Sequence, residues 1–141
     1  MSKLTRENAI IPVKTLVSLK DKVGCAVVYR NHPTLGSTAE LWDPNDHAEP
    51  NAVVIFADDD SASIAMLYGG LSGTVKVKLT EGAFRGSRLY SFNNGTAAGF
   101  ADREEERNSG TFYICAMALE DGVAGEMIEA VLYKPEAFTI A

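Results

Sequence analysis

The arrangement of apolar and polar positions predicts a chain made mostly of β-strands. The clearest strand covers residues 74–79 (TVKVKL), where apolar and charged side chains alternate with a period of two. Short apolar runs between turn residues predict further strands at residues 25–29, 52–57, 63–68, 88–92, 96–101, 111–119 and 126–133. The Asn-Gly pair at residues 94–95 favours a tight hairpin. We therefore expect a mainly β fold, a single-domain antiparallel β-barrel or sandwich.

Two segments fall outside the strand pattern. Residues 1–24 keep no helical period and contain Pro12, so we predict an extended N-terminal arm in front of a β-rich globular domain at residues 25–141. Residues 31–51 hold three prolines and one glycine among polar residues, which indicates a long ordered loop. We expect Trp42 to anchor this loop.

Several predicted strands are apolar at consecutive positions, namely residues 53–56, 64–68 and 112–119. Such strands are covered on both faces, either by a second sheet of the same chain or by another subunit. We favour a homo-oligomer on this ground, and keep the alternative that one chain covers both faces.

Composition and charge narrow the class of protein. The 141 residues suit one domain, and 46% of them are hydrophobic. No apolar run approaches the roughly 20 residues of a membrane span, and the N-terminus lacks the pattern of a secretory signal. Residues 1–30 carry six cations and two anions, whereas the rest carries seven cations and seventeen anions. An acidic body argues against nucleic-acid binding, which needs a basic surface.

Catalytic and ligand-binding motifs are absent from the sequence. The only histidines are His32 and His47, and a nucleophilic pair of Cys25 with His32 is a weaker interpretation than a buried free thiol. We likewise expect Cys115 to be a buried free thiol. No nucleotide-binding glycine motif occurs. We predict that the protein is not an enzyme and has no cofactor.

Acidic residues cluster at three places without the spacing of a known metal site. Asp43, Asp46, His47 and Glu49 share one loop, and residues 58–60 are three aspartates. Neither segment has the EF-hand pattern, and no Cys/His pairs stand at zinc spacing, so we predict no metal site. Residues 104–106 are three glutamates that we interpret as a solvated face.

The C-terminal two-thirds resembles small bacteriophage head decoration proteins, also called capsid cement proteins. The shared features come in order along the chain: a Gly-x-x-Leu step at residues 86–89, the Asn-Gly hairpin at 94–95, an apolar strand ending in Ala-Leu-Glu at 118–120, and an Ala-Gly-Glu turn at 124–126 that opens a final strand.

The resemblance implies a function by binding alone. Such proteins are β-barrels, often trimers, that sit outside a phage head and stabilise it through contacts with the major capsid protein. We therefore expect a homotrimer made in the host cytoplasm and located on the virion exterior. The alternative is a fibre or tail-associated module that binds a glycan or host receptor through Trp42, Tyr68, Phe84 and Tyr90.

The N-terminal arm is the predicted capsid contact. Leu4, Ile10, Ile11 and Val13 would supply its apolar contacts, while the cations Lys3, Arg6 and Lys14 would steer it onto an acidic shell. We expect deletion of residues 2–14 to abolish shell binding and leave the fold intact.

Overall fold

The computed structural model describes residues 10–46, 48–67, 74–106 and 108–141, which form two β-sheets packed on each other. The first sheet is a closed barrel of five strands: β1 (Ile10–Lys14), β2 (Ala26–His32), β3 (Gly36–Leu41), β4 (Ala52–Ala57) and β5 (Ser61–Met66). The mainly β fold class is thus confirmed. None of the described helices is long and apolar enough to cross a membrane.

The second sheet contains the other five strands: β6 (Val75–Lys78), β7 (Arg88–Asn93), β8 (Ala98–Asp102), β9 (Gly110–Ala118) and β10 (Met127–Ile140). Their order is β6-β10-β9-β7-β8, with antiparallel neighbours. The sheet is curled so that its two edge strands, β6 and β8, approach each other. The Thr80 N–H, just after β6, donates to the Phe100 carbonyl of β8 at 2.9 Å. The predicted Asn-Gly hairpin joins β7 to β8.

Gly24 connects the barrel to the second sheet. Its N–H donates to the Val54 carbonyl at 2.8 Å, and its own carbonyl accepts from the Lys78 N–H at 3.1 Å. A Cβ at this position would lie 2.6 Å from the Lys78 nitrogen, and the φ angle is +88°. Only glycine combines this close approach with this backbone conformation.

Alternate residues of the barrel strands enter two different hydrophobic cores. Val54 and Ile64 point into the barrel, whereas Val53 and Ala65 pack in the core between the barrel and the second sheet. Most of the consecutive apolar positions are therefore covered within one chain, whereas Phe56 is 59% exposed and Leu119 is 39% exposed. This removes the reason we had for expecting another subunit to cover them, and it supports the alternative that we kept.

The predicted boundary between arm and globular domain at residue 24 differs from the structure. Residues 10–14 form β1, which pairs with β5 along its length and closes the barrel through Lys14 and Thr38. Leu19 is buried in the barrel interior. The segment belongs to the barrel because these apolar side chains complete its core. Residues 1–9 lie outside the described part.

The predicted loop at residues 31–51 contains a strand. β3 pairs with β2 through a tight turn after His32, so only residues 42–51 connect two strands as a loop, with a 3-10 turn at Pro44–Asp46. Trp42 anchors this loop as predicted, because its buried indole N–H donates to the Ala48 carbonyl at 2.8 Å. The hairpin was missed because β3 is polar and has no strong local strand signal.

Candidate functional site

A pair of matching turns forms one end of the second sheet, which we call the tip. The turns comprise residues 84–87, before β7, and residues 123–126, before β10. Between them, Ala83 and Gly122 exchange two backbone hydrogen bonds of 3.0 and 2.9 Å. The two turns are therefore fixed to each other by the backbone.

The hydrogen bonds of one turn repeat in the other, so the tip has a local two-fold symmetry. The Gly86 N–H donates to the Ala118 carbonyl and the Gly125 N–H donates to the Leu79 carbonyl, each at 2.8 Å. Both glycines have φ of +88°. The first N–H of each turn is also bound by a side chain, at Ser87 Oγ in one turn and Glu126 Oε1 in the other. This backbone is held in one conformation.

The tip exposes two large apolar side chains at equivalent positions of its turns. Phe84 is 72% exposed and Val123 is 63% exposed. They flank a shallow cleft of about 510 Å³, and Glu81 and Glu105 stand at its side. Exposed apolar groups on a rigid frame are typical of binding surfaces, since little conformational entropy is lost when they are buried.

The carboxylates beside the tip repel one another. Partial burial raises the pKa of Glu81, and the charges of Glu106, Glu105 and Asp102 raise it further. Asp121 adds another carboxylate, whose Oδ1 accepts from the Arg85 N–H at 2.8 Å. A partner that brings cations to this rim would relieve the repulsion.

The opposite end of the second sheet carries a different surface, which we call the groove. It has a volume of about 500 Å³ and is lined by these residues: Trp42, Pro44, Asn45, Ser91, Phe92, Asn93, Asn94, Glu106, Asn108, Ser109, Gly110, Thr111 and Phe112. Three residues of β7, residues 88–90, separate the turn of the tip from Ser91, the first groove residue of this strand, a length of roughly 10 Å. One strand pair, β7 with β9, thus supports both surfaces.

A buried carboxylate supports the groove. Glu106 accepts a hydrogen bond from the Tyr90 hydroxyl, and its Oε1 accepts from the Asn108 N–H at 2.7 Å. Burial raises the pKa of Tyr90, and the hydrogen bond to Glu106 raises it further. Glu106 is 6% exposed, so the interpretation of residues 104–106 as a solvated face is wrong at this position.

The predicted capsid-contact residues separate into three groups. Lys3, Leu4 and Arg6 lie outside the described residues. Val13 is buried and Ile11 packs against the barrel core, so both serve the fold. Ile10, 41% exposed, and the exposed Lys14 remain accessible on β1. Deleting residues 2–14 would remove a barrel strand, which corrects our expectation that the fold would survive.

The pair of Cys25 and His32 is not formed. Cys25 is buried just before β2 and His32 ends that strand, which places them about 20 Å apart. Burial raises the pKa of both thiols, that of Cys115 to about 12. The His32 Nδ1 accepts hydrogen bonds from two backbone N–H groups of its own turn. Both cysteines are buried free thiols, as predicted.

The described residues of the acidic segments and of the predicted aromatic set do not group into a site. Over residues 10–46, 48–67, 74–106 and 108–141, no three Asp, Glu, His or Cys side chains are grouped as metal ligands. Trp42 and Tyr90 are buried, whereas Phe84 is exposed at the tip. Tyr68 and His47 lie outside the described residues. The three described rings of this set therefore do not share one exposed surface.

The tip and the groove were both missed from the sequence. The tip has a weak signal, because residues 83–88 and 122–127 each place an apolar residue two positions before a glycine. Two of the motifs behind the resemblance, at residues 86–89 and 124–126, lie in these turns. The groove has no local signal, since it joins three segments that are distant in sequence.

Comparisons with known proteins give a fold and no family. No protein-family model matches the chain, and no curated protein matches it. A solved structure with the same fold is that of the head fiber gp8.5 N base in bacteriophage phi29. It has a TM-score of 0.60 and 12% sequence identity, over 92% of this chain and 97% of that chain. The two chains share one fold along almost their whole lengths.

Proposed function

We propose that this chain is a structural protein of a bacteriophage virion that binds the outer surface of the head. The observation that carries the proposal is the fold, which matches the base of a phage head fiber over 92% of this chain. The resemblance of residues 86–126 to head decoration proteins supports the same role. On this proposal the partner is the major capsid protein, and the chain acts by binding alone.

The tip is the proposed docking surface on the shell. Phe84 and Val123 are held by rigid turns, so burying them against capsid subunits gains apolar contact without ordering a loop. A fully buried side chain of this size contributes about 1.5–3 kcal/mol. Glu81, Glu105 and Asp121 surround this centre, so the facing shell surface is expected to carry lysines or arginines.

The N-terminal segment is the proposed second contact. Lys3, Leu4 and Arg6 would reach a shell subunit, with Ile10 and Lys14 continuing the contact along the outside of the barrel. The cations need acidic groups on the shell, whereas the tip needs basic ones. The two contacts would therefore engage different parts of the shell and join neighbouring subunits, which is how a cement protein stabilises a capsid.

A homotrimer remains part of the proposal, supported by the resemblance to decoration proteins. Three copies on one symmetry axis would bind the shell through several contacts at once, which raises the overall affinity. Light scattering tests this directly. A particle of three times the chain mass of 15.2 kDa is expected, and a monomer at all concentrations would remove the trimer from the proposal.

The base of a fibre is the second candidate function. The head fiber base of phage phi29 has this fold, so the chain would then attach a host-binding structure to the head or tail instead of cementing the shell. The two roles are separated by removing the gene from its phage and heating the virions. Earlier release of DNA from heads supports cement, whereas unchanged heads with slower adsorption to cells support a fibre base.

Sedimentation with heads from that deletion phage tests binding. Purified wild-type chain should pellet with the heads in a saturable way. The double variant Phe84→Ser with Val123→Ser should bind at least about tenfold more weakly. Phe56→Ser is the matched control, because Phe56 is an exposed phenylalanine too, at 59%, but lies on β4 of the barrel and away from the tip. Failure of the wild-type chain to bind heads would contradict the proposed function.

A further inference from the structure

The floor of the groove is an aromatic surface held in place from below. Phe92 and Phe112 are half-buried and line the groove. The ring of Tyr90 lies 5.0 Å from that of Phe112 and contacts Phe92 edge-on at 6.3 Å, measured between ring centroids. Phe138 contacts both of these rings, at 5.6 Å from Tyr90 and 5.3 Å from Phe112. The exposed parts of the floor are therefore apolar and supported by packed rings.

The rim of the groove is rich in side-chain amides. Four of the seven asparagines of the chain line it: Asn45, Asn93, Asn94 and Asn108. The Asn93 side-chain amide donates to the Trp42 carbonyl, and the Asn94 Oδ1 accepts hydrogen bonds from two backbone N–H groups of its own turn. The side-chain amides of Asn45 and Asn108, and the amide nitrogen of Asn94, have no hydrogen bond to another described residue. Each amide offers both donors and acceptors to a ligand.

One buried carboxylate belongs to the described lining of the groove. Among the described lining residues Glu106 is the one ionisable side chain, and Tyr90 and the Asn108 N–H hold it in place. The described lining holds no lysine, arginine or histidine that would pair with a phosphate, a carboxylate or another anionic ligand.

We propose that the groove binds a neutral saccharide, with a sugar ring lying on the Phe92 and Phe112 floor and its hydroxyl groups bonded to the asparagine amides. A sugar ring has an apolar C–H face and a rim of hydroxyl donors and acceptors, which is the same distribution of polarity as the groove. The volume of about 500 Å³ is within the range of small-ligand sites. The proposal depends on the groove alone and holds whether or not the chain sits on a phage head.

Saturation-transfer NMR with defined sugars tests this site. The probes are the methyl glycosides of glucose, galactose, mannose, N-acetylglucosamine and N-acetylgalactosamine, with sialyllactose as an acidic probe. At least one neutral glycoside should receive saturation from the protein. Binding of sialyllactose alone, or of no glycoside, would overturn the proposal.

Two variants assign the binding to the groove. Asn45→Ala with Asn108→Ala removes two exposed amides without touching a described side-chain hydrogen bond, and should weaken binding by about tenfold or more. Asn31→Ala, an exposed asparagine of β2 in the barrel, is the matched control and should bind like wild type. Equal binding by the double variant would show that the sugar binds elsewhere and would overturn the site.

Discussion

The two ends of the second sheet obtain rigidity by different means. At the tip, backbone hydrogen bonds and two glycines fix the turns, and the apolar side chains of Phe84 and Val123 project into solvent. At the groove, packed aromatic rings and a buried hydrogen bond between Tyr90 and Glu106 fix the floor, and the side-chain amides of asparagines line the rim. Turns that are fixed by backbone hydrogen bonds leave their side chains free to contact a partner. A surface that is fixed by side-chain packing uses those side chains for the packing itself.

This difference indicates that the two ends of the β7–β9 strand pair suit different binding partners. The apolar end suits a large, dry protein interface, because burying exposed apolar surface is its main source of free energy. The amide-rich end suits a small hydroxylated ligand that must be oriented by hydrogen bonds. On the proposed function, the tip faces the shell and the groove faces outward.

The largest expected effect is on the groove side, from Trp42→Ala. Trp42 is buried, touches Tyr113 edge-on, and accepts from the Asn93 side chain at its carbonyl. Removing its ring should lower the free energy of unfolding by about 3–5 kcal/mol, measured by urea denaturation. Trp42→Phe should lose less. The methyl NMR signals of Val123 at the tip should shift less than signals of residues that line the groove, and equal shifts would contradict the separate support of the two ends.

Tyr90→Phe tests the hydrogen bond beneath the groove floor. It keeps the ring but takes one donor from the buried Glu106 carboxylate, so we expect a loss of about 1–3 kcal/mol in unfolding free energy. Tyr29→Phe is the control, because its hydroxyl contacts Ser37 in a partly exposed place and should cost about 1 kcal/mol or less. Equal losses in both variants would mean that the buried pair has no special role.

Gly125→Val tests the backbone frame of the tip. A Cβ at Gly125 meets open space, so the expected loss of about 1–2 kcal/mol comes from the positive φ angle alone. Gly82→Ala is the control, since Gly82 has an ordinary φ and a Cβ there would lie 3.6 Å from the Gly122 carbonyl oxygen. Thermal unfolding compares the two, and an unchanged Gly125→Val protein would show that the turn relaxes easily.

The smallest expected effect comes from Glu81→Gln and depends on pH. Because the pKa of Glu81 is raised on folding, ionised Glu81 opposes folding above that pKa, and the penalty is lost as pH falls through it toward the ordinary value of 4.5. The variant should therefore have a slightly higher Tm than wild type at pH 7 and the same Tm below pH of about 4. Glu40→Gln, which removes a carboxylate 3.4 Å from the Arg30 Nε, should show no gain.

Local patterns predicted most of the second sheet but only part of the barrel. β6 alternates clearly and the Asn-Gly turn defines the β7–β8 hairpin, so both follow from short-range signals. β3 is polar and exists because β2 pairs with it. β1 contains Pro12, and we therefore predicted that it belongs to an arm. β3 pairs with β1 only at Lys14, so the edge of β1 beside Pro12 has no partner strand and the missing N–H of proline costs no hydrogen bond there.

Neither surface could be derived from the sequence, for separate reasons. The tip depends on two glycine turns that meet through Ala83 and Gly122, and a sequence shows each turn but not their pairing. The groove joins residues near 45, 93 and 108, and only the folded sheet places these together. Consecutive apolar positions correctly predicted strands that are covered over most of their length, but the local pattern does not reveal which surface covers them or that Phe56 is exposed.

On the proposed function the chain belongs to a phage, and electron cryomicroscopy of the virions of that phage tests this central claim most directly. The account predicts density for this fold on the outside of the head, with Phe84 and Val123 buried against capsid subunits and the groove open to solvent. Virions without this density on the head, or with the tip exposed and the groove buried against the shell, would contradict it.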